Sequence, residues 1–182
     1  MNLEESRIDI ARRSKKGIHF IIASVFIWCA VLIIWLLPIK DILTKNLLTF
    51  CFTAPLVPLA YIISKIIKAE FSTPDNPLGK LGFILSCNQF LYILIAMWVY
   101  PTVPDKMVMV LAMIFGAHLL PFGWLYQSKA YSVMSVVISM TIMVIGIMFN
   151  AVTVAIVMIV FEIIFCLWLM VENKFLEIEK VA

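Results

Sequence analysis

Residues 130–171 read AYSVMSVVISMTIMVIGIMFNAVTVAIVMIVFEIIFCLWLMV. This run decides the fold class. As one helix, at about 1.5 Å per residue, it would be roughly 60 Å long, twice the hydrocarbon thickness of a bilayer. The chain therefore has to turn inside it. Asn150 is the marker for that turn, since Asn tolerates the left-handed backbone that turns use. The run then divides into two spans, Ala130–Phe149 and Ala151–Val171.

Working outward, four more apolar segments of similar length appear: Ile18–Ile39, Leu47–Ile67, Leu81–Tyr100 and Met107–Tyr126. Over the 182 residues, 64% are apolar and 14% charged, with a mean hydropathy of +1.07. A soluble domain is about 45–50% apolar and about 25% charged. The composition excludes a water-covered domain, a disordered chain, a collagen repeat and a coiled coil. The predicted fold is all-α, a polytopic transmembrane bundle of six spans over residues 18–172. A basic N-terminal tail, 1–17, and a short C-terminal tail, 173–182, flank it. The first segment is too long for the h-region of a cleaved signal, and it closes on Trp35-Leu-Leu-Pro38.

Lys and Arg set the orientation. With the N-terminus inside, eleven of the 14 fall on the inner side, leaving Lys40, Lys45 and Lys106 outside. By the positive-inside rule both termini are cytoplasmic. The basic residues flank spans rather than form a nucleic-acid face, so no nucleic-acid partner is expected. Residues 1–16 act as a topology anchor or as a basic amphipathic stretch on the membrane surface. In the loop Ser72–Lys80, Asp75 or Asn76 is placed to cap the third span, with Pro77 at its first position.

Polar residues inside the spans are the candidate site. Glu162 lies near the middle of the sixth segment, where a carboxylate costs at least about 2.5–3.5 kcal/mol. His118 lies at similar depth in the fourth, and Asn88 and Gln89 in the third. Counted along the helices, these groups share one slab of the bilayer, and Asn88, His118 and Glu162 are expected to line a polar cavity. Pro55, Pro58 and Pro121 are expected to kink their helices. His19 is expected to snorkel to the interface. Other polar positions fit packing. Ser132, Ser135, Ser139 and Gly146 form one stripe on the fifth span, and Ala112, Gly116 and Gly123 another on the fourth.

A shift of 63 residues brings Trp35, Pro38, Ala54 and Pro58 onto Trp98, Pro101, Ala117 and Pro121. That pattern suggests a parallel repeat of hairpins, a feature of some transporters.

No phosphate-binding glycine loop, nucleophile elbow or zincin motif occurs. Two histidines and four isolated cysteines, expected to be small buried apolar groups, hold no metal framework. No catalytic residue, cofactor or metal is expected. The stretches Asn76-Pro-Leu-Gly-Lys-Leu-Gly82, Asn88-Gln89 and Gly116–Tyr131 carry a resemblance. The chain resembles small six-span bacterial membrane proteins grouped only as a family of unknown function. The resemblance implies a location in a bacterial plasma membrane and no chemistry. Three readings stay open. One is a small transporter or channel-like protein for an ion or small molecule. Another is a membrane subunit or regulator acting through a homo-oligomer or a membrane partner. The third is a lipid-modifying membrane enzyme using His118 and Glu162.

Overall fold

The computed structural model describes residues 2–178. Among them the secondary structure is helical, with no strand. Its nine helices are α1 Leu3–Arg13, α2 Ile18–Leu36, α3 Ile42–Thr53, α4 Leu56–Ile66, α5 Gly79–Thr102, α6 Met107–His118, α7 Leu120–Leu125, α8 Lys129–Met148 and α9 Ala151–Ile178. Six stretches are long and apolar enough to cross a membrane: Lys15–Leu36, Ile42–Ile66, Gly79–Thr102, Pro104–Leu125, Lys129–Met148 and Ala151–Ile178. The protein is a multi-pass membrane bundle.

Local chemistry explains the boundaries. α2 stops at Leu36 because Pro38 holds the preceding Leu37 extended. α3 starts five residues before the sequence expectation, since the Asp41 carboxylate caps it by accepting from the Thr44 amide at 2.8 Å. The turn between the last two spans does fall at Asn150, for a different reason than backbone tolerance. Its side-chain oxygen accepts from the Thr153 amide at 3.0 Å and caps α9. α9 then runs on to Ile178, past residue 173, where the sequence placed the start of a tail.

Spans two and four are each broken into two helices. Pro55 separates α3 from α4, and the break between α6 and α7 lies at Leu119, two residues before Pro121. Pro58 sits inside α4 and leaves the Ala54 carbonyl without a helical donor; Pro121 does the same for Ala117. The breaks fall close to positions related by the 63-residue shift. The surroundings do not match, however. In α2, 56% of the apolar window is buried within the protein, whereas in α5, its counterpart, 11% is. α2, α6, α8 and α9 form the core, α4 lies against α2, and α5 lines the edge against α6.

Small residues bring α6–α7 and α8 together. The helices are antiparallel, and Met109, Gly116 and Gly123 face Gly146, Ser139 and Ser132 in steps of seven residues. A Cβ on Gly116 would stand 2.7 Å from Ser139 Oγ and 3.1 Å from the Ser139 backbone nitrogen. This is the seam expected from the two stripes.

The N-terminal segment is docked rather than free. Asn2 and Glu5 form a capping box at the start of α1. Lys15, Lys16 and Gly17 then take φ of 49°, 51° and 65°, a left-handed turn that folds α1 under the bundle. Left-handed backbone costs a non-glycine residue about 1–2 kcal/mol. Two anchors offset it: Lys15 donates to the Ile67 carbonyl at 2.9 Å, and Lys16 to Glu172 at 2.8 Å.

Candidate functional site

Glu162 lies on the face of α9 that includes Ala155, Met158, Phe165 and Leu169, spaced by three and four. Those four are apolar and fully enclosed. At Glu162 the pattern calls for a fifth apolar side chain, and the chain places a carboxyl there instead, with 0% exposure. Neither carboxyl oxygen has a hydrogen-bond partner. The Ser24 hydroxyl, on α2, lies against this carboxyl and is also buried and also unpartnered. It faces the carboxyl without reaching hydrogen-bond geometry. Tyr131 on α8 and Cys166, one turn along α9, lie within range of its charge. No cation among the described residues pairs with Glu162. An enclosed carboxyl with no partner is rare in native proteins and calls for an explanation.

The other expected members of the cavity are held elsewhere. His118, at the end of α6, places Nδ1 3.3 Å from the Ile114 carbonyl and packs against Phe115 and Phe122 at 5.4 and 6.2 Å. From His118 a run of ring contacts leads to α9: Phe122 contacts Tyr131 at 6.2 Å, and Tyr131 contacts Phe165 at 4.8 Å. The Asn88 amide donates to the Tyr92 hydroxyl at 2.8 Å within its own helix, α5, at the bundle edge. No hydrogen bond or ion pair among the described residues joins Asn88, His118 and Glu162. Shared depth comes with separate surroundings, because depth follows from position along a helix and convergence depends on rotation about it.

His19 does not snorkel. It is 1% exposed, packed against Phe20 and Phe71 at 4.7 and 5.6 Å, and neither ring nitrogen has a partner. The left-handed turn at Lys15–Gly17 turns the ring inward. The cysteines are free and none is fully buried; Cys51 is exposed.

The richest polar network lies at the end of the bundle that holds both α1 and the end of α9. Arg13 forms a bidentate pair with Asp75, at 2.7 and 2.8 Å, and also reaches Glu70 at 2.7 Å. Asn76 donates to the Ser6 carbonyl and to Asp9. Its side-chain oxygen accepts from the Leu78 amide, so the loop holds α1 and neither Asp75 nor Asn76 caps α5. Arg7 donates to the Trp124 carbonyl at the end of α7 and stacks over the indole at 4.5 Å. The Glu172 carboxylate accepts from Lys16, from the Ser128 hydroxyl and from the Ala130 amide. Basic residues of the N-terminal segment thus cap helix C-termini, where their charge meets the negative end of the dipole. At the opposite end Lys106 does the same for Gly146, and Lys45 for Trp35. The asymmetric charge count therefore also has a structural role within the chain. Among the described residues, no three His, Cys, Asp or Glu side chains converge as a metal site.

A family model described as a family of unknown function (DUF7010) matches residues 3–172. No curated protein matches the chain, and no solved structure does.

Proposed function

Because the chain belongs to this family of unknown function, its role has to be read from its own residues, and we propose that it is a small multi-pass transport protein whose proton- or cation-binding group is Glu162. One observation carries this reading: a fully enclosed carboxyl, without a partner, on an otherwise apolar helix face. Such a group adds nothing to packing and lowers stability when ionised, so its retention is best explained by binding and releasing a cation. Its surroundings describe an occluded arrangement. Ser24 is the first ligand or relay group, and Tyr131 closes the side toward His118. The broken spans at Pro55 and Leu119 supply helix segments that tilt without unravelling their neighbours. We place both termini on the cytoplasmic side, on the eleven-to-three distribution of basic residues, in the bacterial plasma membrane that the family resemblance implies. Asn88 and His118 join the pathway only if α5 and α6 rotate toward α9.

Proteoliposomes containing a pH-sensitive dye test this reading. Under an imposed potential, the wild type should carry protons or alkali cations, and Glu162→Gln should abolish the flux. Equal flux through the variant, or none above empty vesicles with any cation in the wild type, removes the proposal.

A second reading, a subunit or regulator acting through helix contacts, is favoured by α5. This helix leaves Phe83, Phe90, Leu91, Leu94 and Trp98 more than 60% exposed. Its Gln89 amide, at membrane depth, lies on the same helix. Homo-oligomerisation or a membrane partner would cover that face. Cross-linking through a cysteine introduced at Leu91 separates the two readings.

A further inference from the structure

A cleft of about 440 Å³ opens beside the end of α4, at the end of the bundle that holds α1. Tyr61, Lys65, Lys68, Glu70, Phe71 and Ser72 line it, with Ser64 and Ala69 at its base. The backbone builds it. α4 ends at Ile66, Lys68 turns left-handed with φ of 55°, and the Ala69 amide closes the turn on the Ser64 carbonyl at 2.9 Å. The chain then doubles back, bringing Phe71 against Tyr61 at 5.4 Å.

The charge in the cleft is unbalanced. Lys65 and Lys68 have no anionic partner among the described residues; Lys65 lies over the Tyr61 ring at 5.1 Å. Glu70, the one carboxylate of the cleft, is neutralised by Arg13. The Ile67 carbonyl at the helix end, which would repel an anion, is occupied by Lys15. Toward the membrane the cleft continues into the exposed apolar flank of α4, where Ile62 and Ile66 are 56% and 73% exposed. Behind Phe71 lies His19, with both ring nitrogens unpartnered. Two free ammonium groups, two aromatic walls and an apolar flank on one side match an amphiphile with a phosphate head.

We propose that this cleft binds the headgroup of an anionic phospholipid, with Lys65 and Lys68 on the phosphate, Tyr61 and Phe71 against the glycerol, and the acyl chains along Ile62 and Ile66. It rests on none of the residues assigned to transport.

Native mass spectrometry of the delipidated protein, offered phosphatidylglycerol and phosphatidylcholine in equal amounts, is the test. The wild type should retain phosphatidylglycerol in preference by roughly 30-fold, the factor expected of two lysines at an anionic surface. The Lys65→Gln/Lys68→Gln double variant should lose the preference. Its melting temperature in neutral detergent should be nearly unchanged, since neither ammonium has an anionic partner among the described residues and only the contact of Lys65 with the half-exposed Tyr61 ring is lost. Lys80→Gln, exposed at the same end but outside the cleft, should retain it. A preference that survives in the double variant, or falls equally in Lys80→Gln, overturns the proposal. So does a protein stabilised by millimolar inorganic phosphate that retains no phosphatidylglycerol, because the ligand would then be a free anion.

Discussion

Gly116 of α6 meets Ser139 of α8 backbone to backbone, and the same register places Gly123 on Ser132 and Met109 on Gly146. The two helices can approach this closely only because one member of each pair lacks a side chain. Alanine at Gly116 would have to displace the Ser139 backbone as well as its hydroxyl. Overpacking of this kind costs about 1–3 kcal/mol, which exceeds the roughly 1 kcal/mol that Ala gains over Gly in a helix. Gly116→Ala should therefore lower the melting temperature. At Gly82 the only close neighbour of a new Cβ is one methyl group of the buried Leu125, at 3.3 Å, with no backbone atom nearby. Gly82→Ala should therefore cost less than Gly116→Ala. Thermal unfolding in one detergent checks both, and equal losses would deny the seam its special role.

Lys16 and Glu172 join the start of α2 to the end of α9, with side chains 5% and 14% exposed. Breaking a buried pair from one side costs about 3–5 kcal/mol, because the other charge remains enclosed. The two sides differ. Without Lys16, Glu172 keeps the Ser128 and Ala130 donors. Without Glu172, Lys16 keeps only the Gln127 carbonyl at 3.4 Å. Glu172→Leu should therefore destabilise more than Lys16→Met, and the double variant less than the sum of the two. Additive losses in a double-mutant cycle would show that the contact contributes nothing.

Docking of α1 should depend on acid. The Arg13 guanidinium holds the Asp75 carboxyl below its usual range, and its hydrogen bonds to Asp75 and Glu70 raise Arg13 further above the pH range of any assay. A depressed carboxyl stabilises the folded form above its unfolded value of about 3.9 and ceases to do so as pH falls through the folded value. Protection of the α1 amides from hydrogen exchange should thus be full at pH 7 and decline below about pH 4. Asp75→Asn should reduce protection at pH 7 and flatten the decline. An unchanged acid profile in Asp75→Asn would assign the docking to other contacts.

The spans were legible because each needs about 20 apolar residues, and nothing else in the chain competes with that signal. The Gly116 and Ser139 stripes were legible for the same reason, since helical periodicity fixes which small residues share a face. The role of the N-terminal segment was not. Its basic residues signal topology in the sequence, and only the left-handed turn at Lys15–Gly17 brings them to helix C-termini. The inward turn of His19 depends on the same backbone. Asn88, His118 and Glu162 were singled out by polarity and depth, which a sequence reports. Which partner each side chain meets depends on helix rotation, and a hydropathy profile does not carry that information.

Glu162 has no partner to lose, and this separates a working carboxyl from a structural one. If it held α9 to its neighbours, Glu162→Gln would break a hydrogen bond and lower stability by about 1–3 kcal/mol. In the structure both oxygens and the facing Ser24 hydroxyl are unpartnered, so the substitution removes the ionisable group without removing a hydrogen bond. Glu162→Gln should therefore melt at or above the wild-type temperature at pH 7 while losing cation flux. Ser24→Ala removes an unpartnered buried hydroxyl, so it should leave melting at or above wild type and reduce flux only in part. A Glu162→Gln protein that melts lower and transports normally would make the carboxyl a structural group, and the α5 face would then become the first place to look for function.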